Sequence, residues 1–291
     1  MLTDYFKGRK ISIKTILEKM PFFLLAIVLG VLAILAQKSS NAIQDIVTYT
    51  FPQRIVFACY GFITYLFKLL LPLNLSAYYP YPVKNGVDIP IQYYAYIIFF
   101  LVLAAFTIYS HRFSKKIIFG MGFFTVTVFL VLQLLPVGGA IMADRYSYIP
   151  SIGIFYLAGE GINLLWNKKL KLAAIIVLSA FSIFFSIKTY ARCSVWKNDM
   201  TLWNDVISQY QTVEKVYNNR GNLFSDEKRY EEAISNYTEA IALKPDHASA
   251  YYNRGLAEFY LGKKKSACMD LKQAASLGYQ AATYVLLQIC K

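Results

Sequence analysis

The 291-residue sequence predicts an all-α protein in two parts: a polytopic α-helical membrane domain over 1–192, then a short α-solenoid over 193–291. Three observations predict it. Hydrophobic residues make up 57% and charged residues 16%, whereas soluble domains carry about 25% charged residues. Past Tyr190 the composition turns abruptly polar and helix-favouring. The polar part also repeats itself with a period of 34 residues.

Six apolar segments form the first part: Pro21–Ala36, Ile55–Leu73, Ile91–Tyr109, Ile117–Leu135, Tyr148–Trp166 and Leu172–Tyr190. A helix of about 19 residues rises about 28 Å, enough to cross the hydrocarbon core. Pro21–Ala36 follows a basic stretch and resembles a secretory leader, but that prefix is long and further apolar segments follow, so an anchor is expected. Charge then decides the number of crossings. If all six cross, the basic loops 110–116 (Arg112, Lys115, Lys116) and 167–171 (Lys168, Lys169, Lys171) lie opposite the basic N-terminus. If the segment at about 55–73 is instead re-entrant or interfacial, 11 basic residues share one side against 5 (Lys38, Arg54, Lys68, Lys84, Arg145) on the other. Lys68 within that segment is also costly in a true span. The expectation is therefore five spans in an inner (plasma) membrane, with 37–90, 136–147 and the C-terminal part outside the cytoplasm.

The net charge of +13 is confined to this apolar part: residues 1–192 hold 18 Lys/Arg against 6 Asp/Glu, and residues 193–291 hold 12 against 11. Basic loops beside spans meet lipid headgroups, so a bilayer and not a nucleic acid is the expected partner.

In the second part Asn219-Arg220-Gly221 recurs as Asn253-Arg254-Gly255, and Ala233 and Ala240 recur as Ala267 and Ala274. Period 34 with small residues at these offsets, and Pro245 closing the first unit, is the tetratricopeptide (TPR) pattern. Gly221, Gly255 and the alanines let helices approach, while Tyr237 and Leu271 fill the space between units. Counting back 34 from Tyr237 gives Trp203. A degenerate leading helix is thus expected over 199–209, repeats over about 214–247 and 248–281, and a cap helix over about 282–291.

The candidate chemistry sits in two outer loops. Tyr78-Tyr79-Pro80-Tyr81-Pro82 reads either as an interfacial aromatic belt or, through Tyr79 and Tyr81, as a wall for a lipid-linked sugar. Ala143-Asp144-Arg145-Tyr146-Ser147-Tyr148, preceded by Gly138-Gly139, places an acid beside a base; these either neutralise each other or offer a phosphate the fork of Arg145, oriented by Asp144 and flanked by Tyr148. Lys68 joins the group if its segment stays at the outer surface. Glu160 within an apolar run implies snorkelling or an intramembrane partner. Asn218 and Asn222, one turn apart on the face that lines a TPR groove, either hold an extended peptide or are inert. Cys268 and Cys290 approach each other between the second repeat and the cap; buried free thiols are expected, although an outside location permits a disulfide. Asn74-Leu75-Ser76 and Asn236-Tyr237-Thr238 match the glycosylation sequon. Two histidines and scattered cysteines build no metal site, and no nucleotide or cofactor fingerprint occurs. A transporter would want paired intramembrane charges or broken helices, which are not written here.

The stretch Tyr65-Leu66-Phe67-Lys68-Leu69-Leu70-Leu71-Pro72, then Leu75-Ser76-Ala77-Tyr78-Tyr79-Pro80, then Met142 to Ser151, then Trp196-Lys197-Asn198 and Leu202-Trp203 leading into TPR units, resembles bacterial multispanning TPR proteins. Those are similar to the eukaryotic transmembrane and TPR-containing O-mannosyltransferases of the class C glycosyltransferase superfamily. The resemblance implies transfer of a sugar from a polyprenyl phosphate to protein outside the cytoplasm, with TPR units engaging acceptor or partner. Members of that family are longer, with further spans and an acidic catalytic motif upstream. The chain is therefore expected to be a C-terminal, non-catalytic portion without its general base. The alternative is a membrane-anchored TPR scaffold with no enzymatic activity.

Overall fold

The computed structural model describes residues 2–10, 12–39, 49–82, 89–132, 134 and 139–290; Lys84, Gly138 and Lys291 lie outside them. The chain is helical, and among the described residues its only strands are the two-residue β1 (Tyr79–Pro80) and β2 (Ala140–Met142). It divides into two compact units, Met1–Ile187 and Lys188–Lys291.

The first unit begins with two short helices, α1 (Leu2–Phe6) and α2 (Ile13–Leu17), and continues with α3 (Met20–Ser39), α4 (Phe51–Leu70), α5 (Ala95–Tyr109), α6 (Lys115–Phe129) and α7 (Tyr148–Asn167). Helix α8 spans Lys171–Val195. Among the described residues three stretches are long and apolar enough to cross a membrane, Phe51–Leu70, Ile91–Arg112 and Lys171–Val195, and Met20–Ala36 is a shorter apolar helix. Length and composition therefore do not single out α4; burial does. Half of its apolar window is buried within the protein, against 0% and 6% in the other two.

Local sequence explains α4. Thr50 stands before its first turn with Pro52 just inside, and the Gln53 side chain accepts from the Thr50 backbone N–H at 3.0 Å. Pro72 follows its end, where a proline biases the preceding residue away from helix. Phe57, Phe62, Ile63 and Tyr65 form its buried face, and Phe62 meets Phe100 and Phe124 edge-on at 5.0 Å each. The backbones of α6 and α7 touch: a Cβ on Gly153 would sit against the Gly120 carbonyl and 2.9 Å from the Phe124 nitrogen. Glu160 of α7 has a partner, Lys116 in the first turn of α6. Phe6 packs on Phe119 at 4.6 Å, drawing the N-terminal turn onto the same pair of helices.

The second unit stacks α9 (Asp199–Gln209), α10 (Glu214–Asp226), α11 (Tyr230–Leu243), α12 (Ala248–Tyr260), α13 (Lys264–Ser276) and α14 (Gln280–Ile289). Asn198 caps α9 by accepting from the Thr201 N–H at 2.8 Å. Ala233, Tyr237 and Ala257 form one core cluster, and Leu271, Ala274 and Ala282 another. A Cβ at Gly221 would lie 2.6 Å from the Tyr237 ring, which is why the shorter residue stands there. Ala240 and Ala267 are buried, Gly255 faces Leu271 and Asp270, Trp203 is half-buried, and Pro245 is exposed in the turn. The chain leaves α12 through Gly262 at φ +77°; one repeat earlier Lys228 takes φ +61° without that freedom.

One side-chain pattern ties the repeats. Arg220 donates forward to Asn236 at 2.7 Å and back to Asn204 at 3.0 Å. Arg254 repeats this with Asp270 at 2.6 Å and Thr238 at 3.1 Å, each partner 16 residues away. The Asp270 carboxylate holds the Arg254 guanidinium above its ordinary pKa.

The cysteines depart from the expectation of free thiols. Cys268 and Cys290 form a disulfide with Cα atoms 5.7 Å apart. The reason is geometric: Cys268 on α13 and Cys290 just past α14 face each other where the last helix packs back on Leu271 and Ala274.

Candidate functional site

The loop after α4 and the loop before α7 meet. β1 pairs antiparallel with β2, Tyr79 opposite Met142, so segments about 60 residues apart in sequence form one small platform against α4. Tyr79 is its hub. Its hydroxyl accepts from the Ser76 N–H at 2.9 Å and lies 2.8 Å from Asp144 Oδ1, to which it donates. The Lys68 ammonium, in the last turn of α4, donates to the carbonyls of Leu73 (3.0 Å) and Asn74 (2.8 Å) and sits 4.9 Å from the Tyr79 ring centre. Arg145 donates to the Ala77 carbonyl at 3.0 Å, lies over the Tyr146 ring at 4.8 Å and is exposed.

Lys68, Tyr79, Asp144 and Arg145 are thus brought together. Tyr81 and Tyr148 are not. Tyr81 stacks on Tyr49 at 5.0 Å and meets Phe57 at 5.3 Å, packing the platform's underside. Tyr148 begins α7 and is 80% exposed, outside the hydrogen-bonded network.

Two residues that sequence reasoning passed over hold the platform. Tyr65, 1% exposed, both receives the Ala143 N–H at 3.0 Å and donates to the Ala143 carbonyl at 3.2 Å. It fixes the peptide next to Asp144 from one turn before Lys68. Tyr78 donates to the Gly139 carbonyl at 2.6 Å across the same pair of loops. A hydroxyl three residues before a lysine within an apolar helix was the available signal. Beside Lys68 opens a cleft of about 300 Å³, lined by Thr64, Phe67, Lys68, Leu71, Leu73 and Tyr96 and apolar for the most part.

In the repeats, Asn218 and Asn222 do not stand free on a groove wall. Asn253 of the following repeat donates its amide to both, at 3.2 and 3.0 Å, and Tyr237 donates to Asn222 at 2.9 Å. Asn218 is 8% exposed. The oxygens are engaged, while the NH₂ groups of Asn218 and Asn222 and the Asn253 oxygen have no partner among the described residues. Burial pushes the Tyr237 phenol up, keeping it a donor. Of the two sequon asparagines, Asn236 is buried and accepts from Arg220, whereas Asn74 is exposed. No cluster that could hold a metal ion occurs among the described residues.

Family models for the TPR repeat match residues 216–262 and for the tetratricopeptide repeat residues 248–277. A protein O-mannosyl-transferase, TMTC3, is 27% identical over 184 residues in Mus musculus and 29% over 189 in Homo sapiens, covering 62% of this chain and 20% of each relative. Human TMTC1 is 30% identical over 162 residues, 53% of this chain and 17% of the relative. The chain is similar to the protein O-mannosyl-transferases. It spans about a fifth of the length of these relatives. Among solved structures, the Arabidopsis OM64 TPR domain aligns with TM-score 0.31 at 21% identity, over 35% of this chain and 86% of that one. The aligned length in TMTC3 exceeds what the repeats alone supply, since the repeat matches together run from 216 to 277.

Proposed function

We propose that this chain is a non-catalytic portion of a membrane glycosyltransferase-like protein: its outer loops hold the phosphate of a polyprenyl-phosphate sugar, and its repeats hold the acceptor protein or a partner. The observation that carries the reading is the joining of the loops at Tyr79 and Asp144, which brings the exposed Arg145 onto the same platform as Lys68, itself at the edge of an apolar cleft. In this reading Arg145 donates to phosphate oxygens. Asp144 orients the platform through Tyr79 and is not assigned the role of general base. Lys68 holds the carbonyls of the turn and adds positive charge. The cleft takes the first isoprene units.

The reading includes a topology. Five spans, with α4 lying along the outer surface, place the repeats outside the cytoplasm of an inner (plasma) membrane. What supports it is the clustering of basic residues, the half-burial of α4 and a disulfide, which persists in oxidising compartments. In the repeats, Asn218 and Asn222 offer donors and Asn253 an acceptor, the complement of an extended main chain.

The test is titration of the full chain in nanodiscs with polyprenyl-phosphate mannose. Arg145→Ala should weaken binding by about ten- to a hundredfold, the range of a charged hydrogen bond. Undiminished binding refutes the lipid-phosphate reading. It leaves the membrane-anchored scaffold, for which Asn218→Ala with Asn222→Ala abolishes partner capture while Arg145→Ala changes nothing.

A further inference from the structure

We propose that the turn from Phe259 to Lys265 is a docking surface for the headgroups of an anionic bilayer. The inference does not depend on the reading of the outer loops. Lys263, Lys264 and Lys265 stand exposed in succession and form no ion pair among the described residues. Beside them Tyr260 is 62% and Phe259 37% exposed. The Tyr260 ring is stacked at 5.1 Å on Tyr230 of the preceding repeat, so it is held outward on a rigid base.

The placement of these lysines works against the fold. Lys264 and Lys265 occupy the first turn of α13, where unsatisfied N–H groups carry partial positive charge and an ammonium is disfavoured. The equivalent turn of α11 carries Glu231 and Glu232 and follows the rule. Its neighbouring Arg229 is neutralised by Glu227 and Glu232, so the basic surface is confined to one of the two turns. Glu258 interacts electrostatically with Lys263, which leaves Lys264 and Lys265 in particular to call for an external anion. The rings beside them select its kind: tyrosine and phenylalanine next to lysine is the composition of a membrane interface, apolar below the phosphates and charged at them. An acidic protein segment would satisfy the lysines alone. The chain itself carries helices long and apolar enough to cross a bilayer, which keeps such a surface within reach.

Amine acylation followed by mass spectrometry tests this on the unaltered full chain. It is reconstituted in nanodiscs of phosphatidylcholine alone and of phosphatidylcholine with phosphatidylglycerol. Lys272, exposed on the same helix, is the internal reference. The three lysines should react about five-fold more slowly in the anionic discs, Lys272 equally in both, and high salt should abolish the difference. Equal rates in the two discs overturn the proposal, and so does equal protection in both, which would mean that protein covers the turn.

Discussion

Reduction of the Cys268–Cys290 disulfide should loosen the last helix of the repeats and leave the first repeat untouched. The bond closes a segment with a sequence separation of 22. The chain-entropy relation for a loop of that size gives about 3 kcal/mol, on the order of a hundredfold in an opening equilibrium. The consequence is local because Val285, Leu286 and Ile289 of α14 are only partly buried against the cluster of Leu271 and Ala274. Ala282 is the helix's one fully buried residue, whereas Tyr284 and Leu287 face outward. Hydrogen exchange on the full chain, with and without a reductant, measures it. Amides of 280–289 should exchange up to about a hundredfold faster once the bond is reduced, while those of α10 and α11 keep their rates. Unchanged exchange in α14 would refute the reasoning: packing on Leu271 and Ala274 would then suffice to hold the helix.

Tyr65→Phe keeps the buried ring but leaves the Ala143 N–H without its partner, while the Ala143 carbonyl keeps the Tyr146 N–H, and should cost about 1–3 kcal/mol; a lowered melting temperature in detergent, with weaker titration by polyprenyl phosphate, checks it. His247, half-buried at the start of α12, has its pKa held below the ordinary value by burial. The unfolded chain therefore binds that proton more readily, so the stability of the repeats should be fully present above about pH 6.5 and decline as pH falls through that value towards the depressed folded one. Chemical denaturation of the full chain at pH 7.5 and 5.5 measures it, and His247→Gln should flatten the dependence.

The fold class was legible because both halves are written in periodic patterns. Apolar runs with little charge mark membrane-type helices, and a 34-residue spacing of Gly221 with Gly255 and Ala233 with Ala267 marks helix pairs that need close approach. The platform at Tyr79 and Asp144 was legible only as two separate loops. Nothing in Tyr79 or Met142 announces that they pair, since a two-residue strand has no alternation to read. Tyr65 was missed for the same reason: its partner is a backbone peptide, which every residue possesses. The state of Cys268 and Cys290 turned on the packing angle of α14, which spacing does not encode. For Asn218 and Asn222 the pattern located the residues but not their engagement by Asn253, because an amide's orientation is decided by neighbours in another repeat.

The arginine rungs at 220 and 254 carry a consequence for how the repeats come apart. Each guanidinium is shared among three helices, its own and one on either side in the stack. Peeling away any single helical hairpin therefore strands a cation that belonged to the hairpin next to it. The array from α9 to α13 should melt as one block, α14 lying outside the rungs, where a stack held by apolar faces alone would fray from its ends.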